Sequence, residues 1–107
     1  MSPENLLAID VGTQSTRALL FDLQGNLLAK SRVVIEPYFS TSPGLAEQDP
    51  QVFWKAVCDA CQQLWAMPGV DKTSVAGVAL TTQRSTLICV DQEGKPVPGA
   101  KIALSFL

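Results

Sequence analysis

The sequence has no histidine, few basic residues and no long hydrophobic run, and each shortage excludes a class of protein. Without histidine the chain cannot build a His-based catalytic triad, a His general base or a Cys/His zinc site. Eight basic residues against ten acidic ones give a net charge of -2. This balance argues against a nucleic-acid partner. No apolar run approaches the roughly 18 residues of a membrane helix, which argues against a membrane partner.

Cysteine is scarce as well, with three thiols at Cys58, Cys61 and Cys89. The segment Met1–Asn5 carries no basic cluster and the apolar stretch after it stops at Asp10, so we expect no export signal. An odd number of cysteines without such a signal indicates reduced thiols in the cytoplasm. The spacing Cys58-x-x-Cys61 offers only two metal ligands, so we interpret this pair as plain buried thiols.

The composition is that of one small globular domain, since 47% of the 107 residues are hydrophobic and 17% are charged. Short apolar runs bounded by turn residues predict three strands joined by tight turns, which is an antiparallel meander. These strands are predicted over Leu6–Val11, Arg17–Asp22 and Leu27–Ile35, with a turn at Gln24-Gly25-Asn26 and a loop over 36–49.

A helix is predicted to begin at Asp49-Pro50, because aspartate caps free amides and proline suits the first helical position. We expect it to end near Met67-Pro68-Gly69. Apolar residues recur at helical spacing between these limits: Phe53, Val57, Ala60, Cys61 and Leu64. Trp54 and Trp65 widen this stripe, so we expect both in the core and a second surface against the helix.

The segment Val75–Leu80 is uniformly apolar, which is typical of a central strand covered on both faces. Because it follows a helix, we expect it to lie parallel to the first strand. Further strands are predicted over Thr86–Val90 and Ile102–Leu107, with a turn over Asp91–Pro96 between them. A domain rarely ends on such an apolar strand, so we expect the chain to be a piece of a longer protein.

The richest polar stretch, Asp10-Val11-Gly12-Thr13-Gln14-Ser15-Thr16-Arg17, connects the first two predicted strands. It offers free amides, hydroxyl groups and a glycine, which together suit a bound phosphate. A carboxylate beside phosphates suits Mg²⁺, and the arginine could offset phosphate charge. The alternative is an ordinary Gly-Thr hairpin turn whose aspartate bonds its own loop. Composition alone favours neither the phosphate site nor the ordinary turn.

A second polar cluster, Thr81-Thr82-Gln83-Arg84-Ser85-Thr86, follows the predicted central strand. In α/β folds the ends of such strands are where ligands usually bind. These side chains could hydrogen-bond a polyhydroxylated ligand. The alternative is a polar loop between two strands, which the pattern alone favours.

The first cluster resembles the first phosphate motif of the FGGY carbohydrate kinases, and further stretches agree in order and spacing. Pro43–Pro50 resembles the Pro-Gly-x-x-Glu-x-Asp-Pro that opens the first family helix, and Ala76–Arg84 resembles a Gly-Ile-x-x-Gln-Arg segment. Asp91–Pro96 resembles an Asp-x-x-Gly-x-Pro turn, and Ala103–Leu107 resembles an Ala-Ile-x-Trp-x strand. The resemblance covers essentially the whole chain.

The resemblance implies an α/β fold, namely an incomplete ribonuclease-H-like domain of the actin-like ATPase superfamily. It would contain a three-stranded antiparallel meander, one helix, a parallel strand and further short strands. Residues 1–107 would be the N-terminal part of the first, sugar-binding domain. The rest of that domain and the C-terminal nucleotide-binding domain would lie beyond this chain.

The resemblance also implies an ATP-dependent transfer of a γ-phosphate to a hydroxyl of a small sugar or polyol, with ATP and Mg²⁺ as cofactors. The enzyme would be cytoplasmic, with a homo-oligomer left open, and its general base would lie downstream of this chain. The implied site residues are Asp10 for Mg²⁺, directly or through water, Gly12, Thr13, Gln14, Ser15 and Arg17 for the phosphates, and Gln83, Arg84 and Ser85 for the acceptor. Gln14 and Ser85 differ from the Thr and Glu of glycerol kinases, so the resemblance does not single out glycerol.

Two other functions stay open. One is a chaperone-type or filament-forming ATPase of the same superfamily. Such a function would not explain why Gln83-Arg84 follows the fourth predicted strand. The other is a truncated, non-catalytic binding module. For the kinase we expect the 107-residue chain alone to be inactive, since the base and the adenine site would be missing.

Overall fold

The computed structural model describes residues 4–36, 45–46, 48–83, 86–97 and 103–105. The elements are β1 Asn5–Val11, β2 Ser15–Asp22, β3 Leu27–Val34, β4 Leu45–Ala46, α1 Pro50–Trp65, β5 Val75–Thr81, β6 Thr86–Leu87 and β7 Ala103–Ser105. A short 3-10 turn over Lys72–Ser74 leads into β5. Within the described ranges no helix is long and apolar enough to cross a membrane.

Four strands form one mixed sheet in the order β3-β2-β1-β5. β2 pairs antiparallel with both β1 and β3, which confirms the predicted meander. β5 pairs parallel with β1, as predicted for the strand after the helix. The register places Asp10 of β1 between Arg17 of β2 and Thr81 of β5. A second, antiparallel sheet has the order β4-β7-β6 and includes one strand inside the predicted loop.

Helix α1 begins at the predicted cap, because a carboxylate oxygen of Asp49 accepts a hydrogen bond from the Gln51 amide at 2.9 Å. One face of the helix is buried by residues three or four positions apart, namely Phe53, Ala56, Ala60 and Leu64. This face packs over β2 and β3. The hydroxyl of Ser31 in β3 donates to the Ala60 carbonyl at 2.6 Å, which fixes the helix on the sheet.

Trp54 is 66% exposed, so the expectation that it lies in the core is wrong. Successive helical residues are about 100° apart around the axis, so the burial of Phe53 turns Trp54 to the flank of the helix. Trp65 does pack, partly buried, against the cluster that contains Leu64. Within the described part of the chain, the second surface expected against the helix does not cover Trp54.

The three cysteines are free thiols. Cys58 and Cys61 on α1 are partly buried, and Cys89 is exposed. Burial, with a smaller contribution from Cys58, raises the pKa of the Cys61 thiol. Among the described residues, no three cysteine, aspartate or glutamate side chains come together as a metal site.

β5 lies at the edge of the four-stranded sheet, so its expected place as a central strand covered on both faces is wrong for the described chain. Val78 and Leu80 are 63% and 60% exposed. The cause is the position of α1, which packs over β2 and β3 and only touches β1. The apolar face of β5 is therefore left open by the residues that the structure describes.

β6 is shorter than the strand predicted over Thr86–Val90. Leu87, Ile88 and Val90 are largely exposed, so little packing holds a longer strand here. Val90 instead forms an isolated antiparallel bridge with Pro96, which closes the predicted turn between them.

The turn between β2 and β3 is confirmed at its predicted place, with Gly25 at a φ of 85°. The Asp22 carboxylate accepts hydrogen bonds from the Gln24 and Asn26 amides at 2.9 and 2.8 Å, and from the Asn26 side chain at 2.9 Å. These bonds, above all the one from the Asn26 side chain, hold the pKa of Asp22 below its usual value.

Candidate functional site

The turn between β1 and β2 is closed at its base and open at its tip. The Gly12 amide donates to the Ser15 carbonyl at 2.9 Å, and the Ile35 amide donates to the Gln14 carbonyl at 3.0 Å. The amides of Thr13 and Gln14 find no acceptor among the described residues, and both residues are exposed. The tip therefore presents free N–H groups to solvent, as a phosphate-binding turn does.

The base of this turn has no room for a side chain at Gly12. A Cβ atom there would lie 2.9 Å from the Ser15 carbonyl oxygen. Because the Gly12 amide bonds that same oxygen, the two residues cannot separate without opening the turn. The close approach at Gly12 is thus set by the hairpin itself.

The Asp10 carboxylate is oriented from both neighbouring strands. Its Oδ1 accepts from the Thr81 hydroxyl at 2.8 Å, and its Oδ2 lies 3.7 Å from Nη2 of Arg17. The side chains of Asp10 and Arg17 remain 45% and 55% exposed. In the described chain Asp10 makes no bond to the turn between β1 and β2, so the alternative of an aspartate bonding its own loop does not hold.

The hydroxyl residues of the first cluster lie on opposite sides of the sheet, because successive strand residues alternate in direction. Ser15 lies on the face of the sheet turned away from α1, called the open face below. There its hydroxyl accepts a hydrogen bond from Nε of Arg32 at 3.2 Å. Thr16 points toward α1, is fully buried, and has a hydroxyl without a partner in the described ranges. Thr13 and Ser15 are thus the hydroxyl residues of this cluster that could reach a ligand.

Arg32 belongs to the site although sequence reasoning missed it. The register of β2 and β3 pairs it with Arg17, which in turn pairs with Asp10 of β1, so all three side chains lie on the open face. Lys30 lies two residues away on the same face of β3. The alternation of Lys30 and Arg32 is visible in the sequence, but the residues they face depend on the strand register. The result is a cluster of positive charge next to the hairpin.

Gln83 connects the second polar cluster to the first. Its Nε2 donates to the Gly12 carbonyl at 2.9 Å, and its Oε1 accepts from the Thr86 hydroxyl at 2.5 Å. Arg84 and Ser85 lie outside the described residues. Beside Gln83 is a cavity of about 200 Å³ lined by Val11, Phe53, Thr82, Gln83, Thr86 and Ile88.

Solved structures share the fold of this chain. A xyloylose kinase from Brucella ovis matches 92% of this chain with a TM-score of 0.81 at 26% identity. A gluconate kinase from Lactobacillus acidophilus matches 92% of this chain with a TM-score of 0.74 at 25% identity. The matches cover 20% and 19% of those two proteins. The chain therefore has part of the ribonuclease-H-like fold of the actin-like ATPase superfamily, as the resemblance predicts.

Sequence comparison narrows this class to one family. Residues 5–105 match the N-terminal domain of the FGGY family of carbohydrate kinases. Glycerol kinase from Burkholderia cenocepacia (strain HI2424) is 38% identical over 101 residues, which is 94% of this chain and 20% of that protein. The chain belongs to the FGGY family of carbohydrate kinases. It spans about a fifth of the length of the relatives that it matches.

Proposed function

We propose that this chain is the N-terminal part of the first, sugar-binding domain of a kinase that transfers the γ-phosphate of ATP to a hydroxyl of a small sugar or polyol. The observation that carries the proposal is the direct contact between its two polar clusters. Thr81 bonds Asp10, and Gln83 bonds Gly12, across 71 residues of sequence in each case. Phosphoryl transfer depends on positioning and charge neutralisation, which such a junction can provide.

The hairpin is the proposed site of the ATP phosphates. Its free amides at Thr13 and Gln14 can donate to phosphate oxygens, and Gly12 keeps the turn closed. Ser15 and Arg17 lie on the open face beside the turn. The exposed ion pair of Arg17 with Asp10 is weak, so the guanidinium is free to turn toward a phosphate.

Asp10 is the proposed contact for Mg²⁺, directly or through water. The donor set fits this ion, because Mg²⁺ is usually held by one or two carboxylates together with substrate phosphates and water. The Asp10 carboxylate is nearly half exposed and keeps lone pairs beyond its contacts with Thr81 and Arg17. When bound, the ion would neutralise charge on the phosphates. Thr81 fixes the orientation of the carboxylate.

Gln83, Arg84 and Ser85 are the proposed acceptor side. The three relatives above are named for glycerol, gluconate and xyloylose, so family membership leaves the acceptor to be determined. Ser85 and Gln14 also differ from the residues of glycerol kinases at these positions. We therefore assign the class of acceptor, a small sugar or polyol, and not one compound.

We propose that the general base lies outside this chain. Among the described residues Asp10 is the carboxylate beside the hairpin, and a carboxylate committed to Mg²⁺ cannot also deprotonate the acceptor hydroxyl. We expect residues 1–107 alone to give no sugar-dependent turnover. We further propose a cytoplasmic enzyme without nucleic-acid or membrane partners, in keeping with its free thiols and its net charge of -2.

The test is an assay of the full-length protein with ATP, Mg²⁺ and a panel of polyols, ketopentoses and ketohexoses. We expect ADP release that depends on one acceptor class. Arg84→Ala should raise the acceptor KM by about tenfold or more and leave the ATP KM nearly unchanged.

Other outcomes decide between the alternatives. ATP hydrolysis that no acceptor stimulates would refute the kinase and favour a chaperone-type or filament-forming ATPase. Ligand binding without turnover would favour a non-catalytic module. Sugar-dependent turnover by purified residues 1–107 would overturn the placement of the base.

A further inference from the structure

The side chain of Gln83 hydrogen-bonds one residue that is distant in sequence and one that is near. Its amide nitrogen donates to the Gly12 carbonyl in the hairpin between β1 and β2. Its amide oxygen accepts from the hydroxyl of Thr86, the first residue of β6. Gln83 itself follows the end of β5. Both of these bonds are partly buried.

The bond to Gly12 acts on the residue that closes the hairpin. The Gly12 amide is committed to the Ser15 carbonyl, and no Cβ fits at this position. The carbonyl is therefore the remaining backbone polar atom of Gly12 through which another segment can hold this residue. Within the described residues, Gln83 is the side chain that does so.

The bond to Thr86 acts on the acceptor side. Gln83 and Thr86 flank Arg84 and Ser85 in sequence, and their side chains are hydrogen-bonded to each other at 2.5 Å. One amide group thus contacts both the phosphate hairpin and Thr86.

We propose that Gln83 is a positioning residue, which holds the phosphate hairpin against the start of β6 at Thr86 so that phosphate and acceptor hydroxyl meet correctly. This inference rests on the proposed kinase function, and it gives Gln83 a role distinct from contact with the acceptor. Only glutamine meets both demands here. Asparagine is one methylene shorter, and ionised glutamate has no proton to donate to Gly12.

The first experiment measures catalysis by the full-length protein. Gln83→Leu removes both bonds and should lower kcat by about tenfold to a hundredfold, since small misplacement of reacting groups is costly, with the acceptor KM changed less than about threefold. Thr86→Val removes one bond and should give a smaller loss. Gln63→Leu on the exposed side of α1 is the matched control and should leave kcat unchanged.

Gln83→Glu gives a readout that a merely structural role would not move. At neutral pH its carboxylate can accept from Thr86 but cannot donate to Gly12. Protonated, it regains a donor of the same shape. The ratio of variant to native kcat should therefore rise as the pH is lowered from about 8 toward about 4.5, close to the ordinary pKa of glutamate. A ratio independent of pH would refute a role for the bond to Gly12.

The second experiment does not depend on kinase activity. Amide hydrogen exchange should become faster at residues 12–16 in Gln83→Leu and stay unchanged in Gln63→Leu. Unchanged exchange in Gln83→Leu would refute the proposal that Gln83 holds the hairpin. A native kcat with only a raised acceptor KM would show direct contact with the acceptor instead. If the wild-type protein shows no turnover, the proposed kinase function is refuted. The exchange result would still decide whether Gln83 holds the hairpin.

Discussion

Replacing Asp10 by asparagine separates the proposed charge role of this side chain from its contribution to folding. Asparagine has the same shape and keeps a carbonyl oxygen that can accept the 2.8 Å hydrogen bond from Thr81. It removes the negative charge that lies 3.7 Å from the Arg17 guanidinium. The variant therefore tests the charge with little change in packing.

The cost in stability should be small. In water, unit charges at the 3.7 Å separation of Asp10 and Arg17 attract by about 1 kcal/mol, and exposed pairs in proteins contribute about 0.2–1 kcal/mol. Both side chains are about half exposed, so we expect the free energy of unfolding to fall by about 1 kcal/mol or less. A group that stabilises charge at a reacting phosphate is worth about 3 kcal/mol, which is roughly a hundredfold in kcat.

The assay is ADP release by the full-length protein at saturating ATP and acceptor, together with thermal unfolding. Asp59→Asn is the matched control, because it also removes one negative charge from an ion pair. In that pair, Asp59 lies 2.7 Å from Lys55 on α1. We expect a loss of about a hundredfold in kcat for Asp10→Asn and none for Asp59→Asn. Turnover near the native rate in Asp10→Asn would refute the assignment of Asp10, and equal losses in both variants would point to a general effect of charge.

Three further changes test the hairpin and the sheet. Gly12→Ala places a Cβ 2.9 Å from the Ser15 carbonyl oxygen, so we expect a loss of about 1–3 kcal/mol in denaturant unfolding and a higher ATP KM; native values would contradict the close approach. Thr16→Val removes a buried hydroxyl that has no partner in the described chain, so the free energy of unfolding should stay within about 1 kcal/mol or rise, and a larger loss would mean that the hydroxyl is bonded. The pKa of Asp22 is lowered chiefly by the Asn26 side chain, so its stabilisation is present above the unfolded value of 3.8 and is lost as the pH falls through the native value. Asp22→Ala should flatten this acid dependence of unfolding, and an unchanged slope would show that other groups cause it.

Local signals in the sequence predicted most of the fold. The meander follows from short apolar runs separated by turn residues such as Gly25, and the helix start follows from the Asp49 cap. The apolar pattern of β5 by itself predicted a covered strand, because such a strand looks the same in sequence whether or not its neighbours are present. Trp54 was misplaced because a wide apolar stripe does not show which of its edges faces the sheet.

The candidate site was predictable only in part, because some of its contacts depend on how the strands pair. Asp10 and Gly12 stand out locally, as an aspartate at the end of an apolar run and a glycine in a turn. The bond from Gln83 to Gly12 joins residues 71 positions apart, so it depends on the parallel pairing of β1 with β5. Arg32 likewise enters the site through the β2–β3 register.

The same topology sets an order of assembly during synthesis. β1, β2, β3 and α1 lie within the first 65 residues and pair with near neighbours in sequence, whereas β5 joins β1 across a much longer stretch of chain. Contacts close in sequence form early, and chains fold from the N-terminus as they are made. The hairpin between β1 and β2 should therefore be shaped before Gln83 has been synthesised, and the segment that contains Gln83 then adds to a sheet that is already formed. Nascent chains arrested after α1 should already protect the amides of β2 from exchange.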